Sequence, residues 1–503
     1  MRARTLGELK ASGYSYRSVK EEIRQNLIEG MKEGRRTFEG TLGYEDTVIP
    51  DTERALLSRH NILFLGLRGQ AKTRMARQMV DLLDEYVPTV EGSEVNDDPL
   101  HPTSSQAKRI IGEKGDDTPI RWMHRSERYG EKLATPDVSV ADLIGDIDPV
   151  KAANLKLSFA DERVIHYGII PRSNRGIFVI NELPDLQARI QVALFNILQE
   201  GDIQIRGFKL RMPLDIVFVF TANPEDYTNR GAIVTPLKDR IESQILTHYP
   251  KSVETARAIT SQEAHIHPEQ SERVVMNDLA SRLIEQVAFE ARQSELVDQK
   301  SGVSARLTIS ACENAYSAAE RRAILNGEER TQVWVSDLAG IIPSVTGKIE
   351  LVYEGEQEGP FQVSYNLLER SIRSLFTTYF PSLETLKKRR GKESQQKENP
   401  FRPVIGWFDA GNTLDTPFNM TDEERWRQLC RVDGLHALVK KHHPQASEQE
   451  TALLMEFVLH GLASHSLISK KSIDTGISFK DLMGSMLDLG RGGRDNEDEE
   501  EDS

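Results

Sequence analysis

Asn61-Ile-Leu-Phe-Leu-Gly-Leu-Arg-Gly-Gln-Ala-Lys-Thr73 opens with a short apolar run, Ile62 to Leu65, of a length suited to a buried strand. A loop from Gly66 to Ala71 follows. Lys72 and Thr73 then begin an amphipathic helix with Met75, Ala76, Met79, Val80 and Leu83 on its apolar face. The spacing is close to G-x-x-x-x-G-K-[ST], the phosphate-binding loop. In such a loop Gly66 and Gly69 let backbone N–H groups turn toward an anion, and the helix adds the positive end of its dipole. Lys72 would reach the terminal phosphates, and the Thr73 hydroxyl would sit on Mg²⁺. Ala71 stands where a second Gly is usual. Taken alone, the stretch also reads as a glycine turn before a surface helix.

Three further apolar segments separate the two readings. Gly176-Ile-Phe-Val-Ile-Asn-Glu182 has four consecutive apolar residues, as in a strand buried on both faces of a parallel sheet. It ends in Asn181-Glu182, and ligand chemistry in open α/β sheets sits at the carboxyl ends of strands. An Asp followed by a Glu is expected there in a phosphate-loop enzyme, the Asp for Mg²⁺ and the Glu for the attacking water; here Asn stands in the Asp position. A helix follows, with Leu186, Ile190, Ala193, Leu194, Ile197 and Leu198 on one face. Ile203 to Leu210 alternates around Gly207 as a β-hairpin. Ile216 to Phe220 is the next buried strand, closed by Thr221-Ala-Asn-Pro224, which puts Asn223 at another carboxyl end. Gln244-Ile-Leu-Thr-His-Tyr249 is the last apolar segment before Pro250, after the Asp239-Arg240 pair.

Elsewhere the pattern is coarser. Residues 5 to 35 read as one helix, Pro88 to Pro136 as mostly loop, and Val253 to Gly340 as mostly helical. Cys312, in a stripe with Leu307, Ala311 and Ala315, reads as core. His442 and His443, before Pro444, read as a helix end. The Lys387–Arg390 cluster reads as solvated linker. The chain has 503 residues, a net charge of −14 and an acidic run from Glu497 to Asp502, a balance that argues against a nucleic-acid partner. Two distant cysteines without metal-ligand spacing point to a reducing, cytoplasmic setting. Met1 to Tyr16 has no apolar stretch and does not read as a secretory signal, and no apolar run approaches the roughly 20 residues expected of a membrane span.

In their order these signals resemble an AAA+ ATPase, and more closely the magnesium-chelatase I subunit and the MoxR ATPases. The carrying residues are Gly43-Tyr-Glu-Asp46, Gly66 to Thr73, Leu143-Ile-Gly-Asp-Ile-Asp148, Gly168-Ile-Ile-Pro-Arg-Ser-Asn-Arg-Gly176, Asn181-Glu182, Asn223-Pro-Glu225 and Pro236-Leu-Lys-Asp-Arg240. The resemblance covers about residues 40 to 345. It implies an α/β fold: an AAA+ P-loop core, a parallel sheet flanked by helices, with an α-helical lid and an additional mainly helical C-terminal region. The expected divisions are an N-terminal helical segment (1–42), the core (43–250), the lid (251–345), a linker (346–400), a helical C-terminal domain (401–490) and an acidic disordered tail (491–503).

The resemblance also implies ATP and Mg²⁺. Gly66, Leu67, Arg68, Gly69, Gln70, Ala71, Lys72, Thr73 and Arg74 would bind the nucleotide, with Thr73 and Asn181 toward the metal. Glu182 would be the catalytic Glu, Asn223 the sensor beside the γ-phosphate, Arg240 the arginine finger reaching a neighbouring subunit, and Arg306 the second sensor. The hairpin around Gly207 would be a pore-side or partner-facing insertion, and Leu143 to Arg163 a helical insertion. The implied assembly is a homo-hexamer acting on a partner with a von Willebrand A-type domain. A magnesium-chelatase subunit proper and a weakly hydrolysing ATP-gated scaffold are the alternatives.

Overall fold

The apolar runs around the glycine loop become neighbours in one five-stranded sheet: β1 (Ile62–Leu65), β2 (Tyr129–Leu133), β3 (Gly176–Asn181), β4 (Ile216–Ala222) and β5 (Ser243–Leu246). The strand order is β5-β1-β4-β3-β2, and every pairing is parallel. The computed structural model describes residues 2–158, 161–205, 211–224, 232–383, 399–473 and 476–482, in two compact units that divide at Tyr249 and Pro250.

Every residue of β3 and β4 is buried, as continuous apolar strands covered on both faces must be. Alternate side chains enter opposite cores. Leu63, Phe178, Ile180, Phe218 and Phe220 pack in one core with Ile190, Leu194 and Ile197. Ile62, Phe64, Ile177, Val179, Val217 and Val219 pack in the other with Met75, Ala76 and Met79. The first group of helical side chains belongs to Ala188–Glu200, the second to Lys72–Gln78 and the turn after it.

The single helix expected over residues 5 to 35 is two helices, Leu6–Ala11 and Val19–Lys32, with Gly13 in the left-handed region (φ +75°) between them. Val19, Ile23 and Leu27 of the second helix enter the same core as β1. The stretch 88–136, expected as mostly loop, is largely structured. Tyr86–Val90 pairs antiparallel with Ile120–His124, Ser105–Lys114 is a helix, and β2 completes the sheet. β2 is an edge strand whose residues are only partly buried, so Tyr-Gly-Glu-Lys-Leu carries no apolar alternation to reveal it.

The insertion between Leu143 and Arg163 holds the helix Pro149–Leu155, capped by Asp148, beside an antiparallel pair, Gly145–Ile147 with Ile165–Tyr167. The arms of the expected hairpin, Asp202–Gln204 and Arg211–Pro213, pair antiparallel; Gly207 itself lies outside the described residues.

The second unit is built around the helices Asp278–Ala291, Arg306–Asn326, Pro360–Tyr379 and Glu448–Ser464, which share one apolar core. Pro360–Tyr379 falls inside the segment expected as a linker. It buries Val363, Leu367, Leu368, Ile372, Leu375 and Phe376 at helical spacing, with Gly359 and Pro360 marking its start. The C-terminal part also carries a three-stranded antiparallel sheet, Leu414–Pro417, Gly476–Lys480 and Ser469–Ile473, which the helical reading missed. The Lys387–Arg390 cluster and the acidic tail lie outside the described residues. No helix among the described residues is long and apolar enough to cross a membrane.

Candidate active site

The parallel register brings the carboxyl ends of β1, β4 and β3 together. Leu65 pairs with Ala222 and Leu246, and Phe220 pairs with Ile180, so Gly66, Asn223 and Asn181-Glu182 emerge side by side. The loop after β1 turns through Gly69 at φ +72° and Ala71 at φ +54°, and Lys72 opens the helix Lys72–Gln78. A Cβ at Gly66 would overlap the Thr247 hydroxyl and the Gln70 amide oxygen, so a larger residue there would displace both side chains from the loop. The loop is tied down from outside. Thr247 Oγ1 donates to Gln70 Oε1 (2.7 Å), Tyr249 Oη to the Arg68 carbonyl (2.9 Å), and Tyr44 Oη to the carbonyls of Gln70 and His248 (both 2.9 Å). Tyr44 gives the Gly43-Tyr-Glu-Asp46 motif a physical role, and burial pushes its phenol up to about 12.

The Lys72 ammonium is buried at the centre of this arrangement. It donates to the carbonyls of Gly66 and Leu67 (3.0 Å to Leu67) and to Asn223 Oδ1 (2.8 Å). Asn223 Nδ2 in turn donates to Glu182 Oε2 (3.0 Å). One amide thus connects the loop lysine to the strand-end carboxylate across three strands. Glu182 has φ +53°, and its backbone N–H donates to Thr221 Oγ1 (3.1 Å).

Asn181 makes a second network. Its Oδ1 accepts from Thr73 Oγ1 (3.3 Å) and Thr221 Oγ1 (3.2 Å), and its Nδ2 donates to Glu131 Oε1 (2.6 Å). Glu131 lies on β2 and also accepts from Arg77 (2.9 and 3.1 Å) and from Tyr129 Oη (2.9 Å). Burial alone would raise the Glu131 carboxyl, but the hydrogen bonds from Arg77, Tyr129 and Asn181 outweigh it and hold it below the usual carboxylate range. Sequence reading missed Glu131, Thr221, Thr247 and Tyr249. Thr221, in Thr-Ala-Asn-Pro, was the one with a local signal.

The structure therefore brings together Lys72, Thr73, Asn181, Glu182 and Asn223. Leu67, Arg68, Gly69, Gln70 and Ala71 form the loop around Lys72, and Arg74 lies on the helix after it. Arg240 is held elsewhere: Nε and Nη2 donate to Gln199 Oε1 (2.9 and 2.7 Å), Nη1 to the Pro236 carbonyl (2.7 Å), and the guanidinium lies over Phe195. Arg306 is exposed at the start of a helix of the second unit. The donor set suits a nucleotide with Mg²⁺. A buried ammonium and loop N–H groups match phosphate, while a hydroxyl, an amide oxygen and a carboxylate are the hard oxygen donors Mg²⁺ takes.

No family model matches the chain. It is 26% identical over 208 residues to the magnesium-chelatase 38 kDa subunit of Cereibacter sphaeroides, covering 41% of this chain and 56% of that protein. It is 26% identical over 197 residues to the subunit of the same name from Rhodobacter capsulatus, covering 39% and 50%. The chain thus spans about half the length of the curated relatives it matches. Among solved structures, one of the complex between subunits BchI and BchD of magnesium chelatase aligns at a TM-score of 0.34 and 19% identity, over 64% of this chain and 98% of that one. Strand order, phosphate loop and shared sequence agree: this chain has an AAA+ P-loop core and resembles the magnesium-chelatase 38 kDa subunit.

Proposed function

We propose that this chain is an ATPase that forms a ring and couples ATP hydrolysis to remodelling a partner protein. The observation that carries the reading is the Lys72–Asn223–Glu182 chain of hydrogen bonds at the ends of β1, β4 and β3. It links the group that would bind the terminal phosphates to the group that would orient water. Loop N–H groups and Lys72 hold the β- and γ-phosphates, Glu182 orients the attacking water, and Asn223 keeps Glu182 in register with Lys72. Thr73 and Asn181 would hold Mg²⁺, which would supply positive charge to offset that of the phosphates. Arg240, anchored away from its own loop, serves a neighbouring subunit's nucleotide, and Arg306 keeps the second-sensor role that the sequence resemblance implies. The homo-hexamer, the MoxR-like role and a partner with a von Willebrand A-type domain rest on the sequence resemblance. So does a cytoplasmic location, which two free cysteines suit.

Lys72→Ala should abolish ATP binding measured with a fluorescent analogue; wild-type affinity in that variant would remove the phosphate-loop assignment. Arg240→Ala should leave binding intact and lower turnover of the assembled ring by about 10³-fold or more. Unchanged turnover would move the finger to another residue. A second reading, a magnesium-chelatase ATPase subunit acting on protoporphyrin, is favoured by the identity to the 38 kDa subunits. Reconstitution with protoporphyrin and the other chelatase subunits separates it from the first.

A further inference from the structure

We propose that Glu131 takes over, through Asn181, the part of the missing strand-end Asp: it is the positioning carboxylate of the Mg²⁺ site. The inference rests on the ATP-site reading above and concerns how this chain completes that site without an Asp at position 181.

An asparagine amide has two unlike ends, and its use depends on which faces the metal side. Glu131, an acceptor, lies 2.6 Å from Asn181 Nδ2, and a carboxylate can only receive the N–H there. The amide is thereby fixed with Oδ1 toward Thr73 and Thr221. Thr221 agrees with this orientation. Its oxygen already accepts the Glu182 N–H at 3.1 Å, which leaves its own proton to give to Asn181 Oδ1. Asn181 therefore presents an oxygen beside the Thr73 hydroxyl, with a negative charge directly behind the amide. A ligand oriented and polarised by a carboxylate behind it is a recurrent way of tuning a metal site.

The same geometry explains why residue 181 is Asn. An Asp there would place a second carboxylate against Glu131, and two carboxylates in contact cannot both stay ionised. Of the contacting pair 131 and 181, one carries a carboxylate, and here it is on β2 rather than on β3. Arg77 also pairs with Glu131, but its side chain is 64% exposed, so that ion pair is screened by solvent. The role of Glu131 is distinct from that of Glu182, which reaches Asn223 on the other side of β3.

The test compares full-length wild type with Glu131→Gln, Asn181→Asp and the exchange double variant, Glu131→Gln with Asn181→Asp. ATP affinity is measured with a fluorescent analogue in EDTA and across a Mg²⁺ titration, with thermal unfolding as the folding control. Glu131→Gln should raise the Mg²⁺ concentration needed for half-maximal tightening by about 10-fold or more, with affinity in EDTA unchanged within about twofold. The double variant moves the single carboxylate back to β3 and should recover the Mg²⁺ response to within about threefold of wild type. Asn181→Asp alone should not improve it. An unchanged Mg²⁺ response in Glu131→Gln overturns the proposal. So does an equal loss of affinity with and without Mg²⁺, or a double variant no better than Glu131→Gln. If wild type itself bound no ATP, the ATP-site reading would fall and this proposal with it; normal wild-type binding with an inert Glu131 removes this proposal alone.

Discussion

Ala71 shows what one methyl group does to a phosphate loop. Its φ of +54° lies in the left-handed region, where an L side chain costs roughly 1–2 kcal/mol and glycine costs nothing. The loop reaches this conformation because Gln70, Arg68 and the Lys72 ammonium are each held by hydrogen bonds, so the strain is carried by the surrounding contacts. Ala71→Gly should therefore stabilise the first unit by about 1 kcal/mol, offset in part by unfolded-state entropy, and raise its Tm by a few degrees. Differential scanning calorimetry checks this; a lower Tm would mean the strain is absent. Burial governs Glu285 in the second unit in a different way. Its side chain lies beside Thr260 and Thr308, and burial pushes its carboxyl up to about 7 from the ordinary 4.5. The folded state then holds a proton that the unfolded state has released between those two values. Stability should fall as pH rises from about 4.5 through 7, by on the order of 3 kcal/mol in all, with no further loss above. Glu285→Gln should flatten that slope in urea unfolding at pH 5 and pH 8. An unchanged slope would place the titration elsewhere.

At the scale of elements, the N-terminal helix Val19–Lys32 is part of the nucleotide-binding unit rather than an appendage to it. Glu22 makes a bidentate pair with Arg128 (2.6 and 2.7 Å), and both side chains are almost fully buried. Glu22 also accepts the Asp84 N–H, and Arg128 donates to the Arg175 carbonyl (2.7 Å). Asp215, just before β4, accepts the Val19 N–H at the helix start and the Tyr16 hydroxyl. These contacts join the helix to the segments leading into β2, β3 and β4. Glu22→Ala leaves the Arg128 guanidinium buried without its carboxylate, a loss of about 3–5 kcal/mol. Urea unfolding of the first unit should show it, and a change below about 1 kcal/mol would mean that water reaches the pair.

At the scale of the whole molecule, each unit is closed by contacts between residues far apart in the chain. In the second unit Arg322 donates to Asp337 (3.1 Å), to Asp422 (2.9 Å) and to Thr331 (2.8 Å), which ties a helix of the expected lid to the C-terminal region. Arg425 and the buried Glu456 form a second tie (2.9 Å), and Glu456 also accepts the Val335 N–H (2.8 Å). The helices expected as a lid and the C-terminal helices accordingly share one core, with Pro360–Tyr379 running through it. A boundary near residue 346 read from a loss of periodicity does not correspond to a break in packing.

The sequence alone determined the parts whose signal is local. Four-residue apolar runs can be buried only as strands or helix segments, and the glycine loop between such a strand and an amphipathic helix has few other uses. That sufficed for β1, β3 and β4, and for placing Lys72 and Thr73 after the loop and Asn181, Glu182 and Asn223 at strand ends. Tertiary structure alone decided the rest. β2 is a half-exposed edge strand with a polar sequence, so nothing local announced it. Its Glu131 lies 50 residues before Asn181, and only the pairing of β2 with β3 sets them 2.6 Å apart. Read along the chain, Asn181 is a position without charge; in the fold a carboxylate lies against its amide. Sheet register, which no single segment encodes, decides which carboxylate stands behind the site.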